Sequence, residues 1–349
     1  MSNGERSPSV EGDDYAECPF TISYSTNPSA AEKKRKGDNY DGPLFKLAKS
    51  PFSQTGGPVT DNPMNLYYTV EPRNQWQRLV KYSSFLLNCV SYPVKNFIKV
   101  ANKATVEQQK SRSNQETNYT EPGDYWVAYI LEIRASDKHH VYILVYWMYW
   151  PDELPPGARI GRKVVQGRQP YHGANELIAS NCMDVINAAS VTGPAIVEQL
   201  IESNNEEVQR ALYWRQAYDW CTSELWPVRR WCKCQFHANP DEIFIGCTNS
   251  GCMEWMHLKC MVHDILMTVY KKRVILGPRP EGVTHTPSKK GRKKKAAGPK
   301  PYEGLFEADL KTQCSPPVWE IRDLRKNGGA DDGKSTEAVR CLLCGVIIM

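Results

Sequence analysis

Eight side chains of metal-ligating type fall in four close pairs toward the C-terminus: Cys232-x-Cys234, Cys247-x4-Cys252, His257-x2-Cys260 and Cys341-x2-Cys344. Seven thiolates and one imidazole make two tetrahedral sets, the donor chemistry of structural zinc, so two Zn2+ ions are expected. Close pairing matters because two ligands a few residues apart in a tight turn reach one ion without a second loop-closure cost. With four protein ligands on each ion no position is left for water, which argues against metal-assisted hydrolysis. Cys314 and His263 are alternative ligands, whereas Cys18, Cys89, Cys182 and Cys221 have no partner at metal spacing and read as ordinary thiols.

A second concentration of chemistry lies upstream, in HVYILVYWMYWPDEL, where Tyr146, Trp147, Tyr149 and Trp150 fall within five residues. The run Val141 to Trp150 is apolar or aromatic throughout, too short for a membrane span and suited to a strand buried on both faces. With YWVAYILEI before it and the polar turn RASDKHH between, it predicts a hairpin. If the chain turns around Ser136 to His139, directly opposed residue numbers sum to about 275, and Trp126 lies across from Tyr149. Trp147 shares a face with Tyr149, being two residues away. Three such rings can wall a pocket for a trimethylated ammonium, whose diffuse charge is drawn to ring faces. The same spacing also suits plain β-core.

These elements sit in a chain of 349 residues, enough for two modest domains with flanking segments. The formal charge of +5 is concentrated in two runs, Lys33 to Lys36 and KKGRKKK at Lys289 to Lys295. Such runs are solvated chain, nuclear import signals or tethers to nucleic acid phosphates. No apolar leader or membrane-length run occurs, so an intracellular protein with no membrane contact is expected, and twelve cysteines there point to metal rather than disulfides. Residues 1–65 are Ser-, Pro-, Gly- and charge-rich and are predicted to be a disordered tail. NEEVQRALYWRQAYDWC, from Asn205, is predicted as a closing helix with Asn205 as N-cap. A Pro/Gly-rich basic insertion is expected at about 271–317, with order returning at PVWEIRDLR. The chain has no Gly-rich nucleotide loop and no nucleophile motif, so a binding protein is favoured over an enzyme.

The ligand order, four cysteines, one histidine and three more cysteines, with Trp255 two residues before His257, resembles the PHD finger. By that resemblance the pairs interleave in a cross-brace: Cys232, Cys234, His257 and Cys260 hold one zinc, and Cys247, Cys252, Cys341 and Cys344 the other. The 80-residue gap from Cys260 to Cys341 is long for such fingers, and Val339 stands where the family often has tryptophan. GDYWVAYILEI, VYWMYWPDEL, NELIASNCMDVINAASV and YWRQAYDW resemble successive blocks of a BAH domain, and the zinc ligands follow in the order of the plant and fungal BAH–PHD histone readers. The resemblance implies a mainly β chain: a BAH β-barrel-like domain at 66–222 with a closing helix, then a two-zinc PHD finger at 229–349. It implies a nuclear reader of H3K27me3 on the histone H3 tail, acting on nucleosomes with a repressor complex. The methyl-lysine cage maps onto Trp126, Trp147 and Tyr149, with Asn181 and Asp184 as further peptide contacts. In the finger Trp255 is a candidate contact, but Ala238 stands where relatives have tyrosine, so Phe236 or Phe244 would have to complete a cage. An interaction scaffold that recruits a repressor complex without reading methyl-lysine is the alternative.

Overall fold

The computed structural model describes residues 18–25, 45–53, 62–102, 105, 124–201, 211–276, 299–325 and 333–349. Strands dominate, and the chain divides into two compact units, Met1–Val228 and Arg229–Met349.

The first unit is organised on the hairpin Tyr125–Ala135 and Val141–Met148. Its β-branched and aromatic residues favour a half-buried pleated surface. Opposed numbers sum to 275 from Val127↔Met148 to Ile130↔Val145, after which a bulge shifts the register. Met183–Asn187 pairs with the second hairpin strand and Phe97–Ala101 with the first, all antiparallel. One face packs Ile98, Val100, Ala128, Ile130, Ile143 and Val145, and the other contributes Val127, Leu144, Tyr146 and Met148 to the larger core.

A second sheet is built around Leu212–Asp219, flanked by the parallel Glu176–Ser180 and the antiparallel Glu224–Leu225. This strand lies where the closing helix was predicted, and seven of its eight residues are buried. A strand covered on both faces loses its alternation, so Leu212, Trp214 and Tyr218 read as a helical stripe in the sequence. Its polar members have partners: Arg215 Nε bonds Glu176 Oε1 at 2.8 Å, and Gln216 Oε1 lies 2.9 Å from His172 Nε2. The predicted N-cap, Asn205, lies outside the described residues.

The disordered tail also needs correction. Thr21–Ser25 and Lys46–Ala48 pair on either side of Leu66–Glu71, and Phe20 and Phe52 are buried. Phe20 meets Trp76 and Tyr142 edge-on, and Phe52 meets Tyr129 and Trp214. Each segment carries too few apolar residues to fold alone, but it completes a core formed by others. The two basic runs lie outside the described residues.

In the second unit, short two-stranded ribbons at Arg230–Trp231 with Phe236–His237 and Phe244–Gly246 with Trp255–His257 precede a helix, Leu258–Tyr270. Part of the predicted loose insertion, at 271–276 and 299–317, is built structure, the rest lying outside the described residues, and order continues through PVWEIRDLR as expected. Phe306–Lys311, Val318–Asp323 and Lys334–Ala338 form an antiparallel sheet, and Tyr302, Phe306, Trp319 and Ile321 share one core with Met261, Leu266, Cys232, Cys247 and Cys341. Val339 belongs to that core and is fully buried. No described helix is long and apolar enough to cross a membrane.

Candidate metal centres and aromatic corner

Two groups of four ligand atoms converge in the second unit, Cys232, Cys234, His257 and Cys260 in one and Cys247, Cys252, Cys341 and Cys344 in the other. Within each group all ligand atoms lie within 4.8 Å of one another. The ribbon turns present the early pairs, the first turn of the Leu258–Tyr270 helix presents Cys260, and the turn after Lys334–Ala338 presents Cys341 and Cys344. A tetrahedral ion with sulfur at about 2.3 Å sets sulfur–sulfur edges of roughly 3.8 Å. Cys252 and Cys341 are 3.8 Å apart, Cys247 and Cys344 3.6 Å, and Cys234 Sγ lies 3.3 Å from His257 Nδ1. The donor sets and spacing therefore fit metal ions.

Supporting contacts aim these ligands. With Nδ1 toward the thiolates, the other ring nitrogen of His257 donates to the His237 carbonyl at 3.2 Å, which fixes the imidazole plane. The backbone N–H groups of Leu343 and Cys344 point at Cys341 Sγ from 3.4 and 3.5 Å, and Asn249 Nδ2 lies 3.7 Å from Cys344 Sγ. Cys232 takes a left-handed backbone at φ 64°, a conformation uncommon for a side chain of this kind and suited to the tight turn between the first two ligands. Cys314 and His263 join neither group; His263 Nδ1 instead meets the Tyr302 hydroxyl at 2.7 Å.

In the first unit the predicted aromatic residues separate. Trp126 and Trp147 meet with ring centroids 5.6 Å apart at 72°, both partly exposed. Ala128 stands directly opposite Trp147, and Trp126 is the diagonal neighbour on the same face. A methyl group at position 128 leaves room for the two indoles to lean together. Tyr149 does not join them at the surface. The hairpin register stops at Met148, and Tyr149 instead bridges to Ile178 through two 2.8 Å backbone hydrogen bonds. Its ring is fully buried, 6.0 Å from Tyr218 at 84°.

Each surface indole N–H is held by a carboxylate, as a group that can only donate requires when partly buried. Trp126 Nε1 donates to Glu153 Oε1 at 2.9 Å and Trp147 Nε1 to Asp184 Oδ2 at 3.3 Å. Glu153, in the short Pro151–Glu153 turn, is the functional candidate that sequence reasoning missed. The signal was present in the PDEL that follows the aromatic run. Burial pushes the Asp184 carboxyl up to about 6, against the opposing pull of the Val185 N–H and the Trp147 indole.

Asn181 is not placed as a peptide contact. It is 1% exposed, donates to the Met64 carbonyl and Asp219 Oδ1, and accepts from Trp220 N, which makes it an internal tie. In the second unit Trp255 is partly buried, with its ring over Gly246, where an added Cβ would sit 3.4 Å from it. Phe244 is committed to the His257 ring at 4.8 Å, while Phe236 is 70% exposed.

No protein-family profile matches the chain. Among curated proteins it is similar to Chromatin remodeling protein EBS of Arabidopsis thaliana, 31% identical over 140 residues that make up 39% of this chain and 55% of that one. Chromatin remodeling protein SHL of the same plant is 27% identical over 154 residues, 41% of this chain and 60% of its own. The chain thus spans little more than half the length of the curated relatives it matches. Among solved structures, the yeast Rsc2 BAH domain aligns over 44% of this chain and 56% of that one, at a TM-score of 0.28 and 13% identity. The chain is thus similar to plant chromatin remodeling proteins, and its strand-built unit followed by two interleaved Cys/His tetrads is the arrangement that its resemblance to BAH–PHD chromatin proteins implies.

Proposed function

We propose that the chain is a nuclear, non-enzymatic chromatin reader whose first unit binds a trimethyl-lysine of the histone H3 tail, H3K27me3 by family resemblance, in the corner between Trp126 and Trp147. The observation that carries this reading is the pair of partly exposed indoles, 5.6 Å apart at 72° and each tied to a carboxylate. A cation about 4 Å from each of two perpendicular ring faces needs centroids roughly 5.7 Å apart, and each contact contributes about 0.5–2 kcal/mol. Glu153 and Asp184 add negative potential without requiring the ligand to donate a hydrogen bond, which a trimethylammonium cannot do.

The second unit holds zinc in both tetrads. The ions supply folding energy rather than chemistry, since four protein ligands close each coordination sphere. Its surface around Trp255 is a second contact for histone or another protein, and linked weak contacts raise avidity on a nucleosome. The basic runs are assigned to DNA phosphates.

A modified histone-peptide array followed by calorimetry tests the reading. Wild type binds H3K27me3 above the unmodified peptide, and Trp147→Ala abolishes the difference with the fold retained. Equal binding of all peptides by wild type favours a recruiting scaffold instead.

A further inference from the structure

Resting on the reading of the Trp126–Trp147 corner as a methyl-lysine site, we infer that Glu153 and Asp184 are positioning residues that fix the two indole planes, and that the site therefore does not favour methylammonium groups that still carry an N–H.

The inference starts from what each carboxylate oxygen already accepts. Glu153 Oε1 takes the Trp126 indole N–H at 2.9 Å, and Oε2 takes the Trp150 backbone N–H at 3.4 Å. Asp184 Oδ2 takes the Trp147 indole N–H at 3.3 Å, and Oδ1 takes the Val185 backbone N–H at 2.8 Å. All four oxygens thus have a donor from the protein. Each oxygen keeps one further acceptor site, but a carboxylate tied on both oxygens in this way acts on a bound cation mainly through its charge, which is nearly the same for one, two or three methyl groups. What changes along that series is desolvation and ring contact, and both favour the fully methylated ion.

The two carboxylates also come from different elements, the turn after Val141–Met148 and the neighbouring strand Met183–Asn187. Each indole is therefore anchored from outside its own strand. An indole on a strand rotates about two side-chain bonds, and fixing its N–H edge removes that freedom before ligand arrives. Orientation, more than direct contact, is what these acids contribute.

Calorimetry with H3 peptides carrying zero, one, two and three methyl groups on the same lysine tests this in wild type, Glu153→Gln and Asp184→Asn. Indole N–H resonances of Trp126 and Trp147 serve as a second readout. Wild type is expected to rank three methyl groups above two, one and none. Each variant is expected to lose about threefold to tenfold for every methylated peptide without changing that rank, and the indole N–H of the residue it supports should shift and exchange faster with solvent. A selective loss for one or two methyl groups in Glu153→Gln overturns the inference, because Glu153 would then take a ligand N–H directly. Wild-type affinity and unmoved indole resonances in both variants overturn it as well. Failure of wild type to prefer any methylated peptide counts against the reading of the corner itself, a result distinct from either of these.

Discussion

The metal tetrads and the aromatic corner form by different routes. Each tetrad gathers ligand atoms from separate segments into one cluster that a single ion could hold, and in the second tetrad ligands 89 residues apart, Cys252 and Cys341, have their sulfurs 3.8 Å from each other. The corner has no such organiser. It depends on where a strand register ends, and a single residue decides whether a ring faces solvent or the core. Trp147 lies within the paired strand and stays at the surface, whereas Tyr149 lies just past its end and is fully buried beside Tyr218. A shared ligand tolerates long insertions, while a site made of strand ends is sensitive to one step of pairing.

This contrast can be broken first at the metals. Chelation, or Cys341→Ser, should unfold the second unit, since structural zinc supplies on the order of 10–16 kcal/mol in small fingers. Loss of chemical-shift dispersion confined to 229–349 is the expected outcome. Persistence of the Phe306–Lys311 sheet without metal would show that its core stands independently of the tetrads.

Next comes the separation of the two aromatic roles. Tyr149→Ala should cost about 3–5 kcal/mol of stability, as truncating a large buried ring does, and should be read in denaturant midpoints. Trp147→Ala should leave that midpoint nearly unchanged and weaken methylated-peptide binding at least tenfold. If Tyr149→Leu, which keeps apolar volume, lowers peptide affinity as much as Trp147→Ala while remaining folded, the burial of Tyr149 does not describe the binding state.

The smallest effect concerns Asp184. Its carboxyl titrates near 6, well above the usual carboxylate range, mainly because it is buried. The folded protein therefore holds this proton more tightly than the unfolded chain. The stability linked to it is fully present below about pH 4 and is lost as pH rises through about 6. Binding should run the other way, because the ionised form is the one that attracts a cation. The titratable groups near it, Cys18 and Tyr24, are neutral over this range, their own values being raised by burial. Peptide affinity is thus expected to fall severalfold between pH 7 and 5 in wild type, with a much flatter profile in Asp184→Asn. At pH 7 that variant should melt about 2–4 °C higher, in line with relief of roughly 1 kcal/mol.

Much of this was legible in the sequence where periodicity or spacing had one physical cause. The close Cys and His pairs marked eight ligands because few other structural demands space thiols in that way, while their division into the two groups that converge came from the resemblance to the PHD finger. The hairpin itself followed from its short polar turn, but opposed numbers sum to 275 only from Val127 to Ile130 and to 276 between the bulge and the turn, and the pairing ends at Met148, before Trp126 and Tyr149 oppose each other. The Leu212–Asp219 strand was misread because burial on both faces erased the period that separates strand from helix. The roles of Phe20 and Phe52 were hidden because their partners, Trp76, Tyr142 and Trp214, are remote in sequence. Asn181 was misassigned for a related reason: its three hydrogen bonds reach Met64, Asp219 and Trp220, none of them near it in the chain.

The insertion between Cys260 and Cys341 also sets a timetable for biosynthesis. The first tetrad is complete once residue 260 is available, but the second waits for Cys344, 84 residues later. At about 5–20 residues per second that is an interval on the order of ten seconds. During it the Cys247 and Cys252 side chains are present on the nascent chain without their later partners, and of the intervening sheet only the Phe306–Lys311 and Val318–Asp323 pair is complete well before the last ligands arrive.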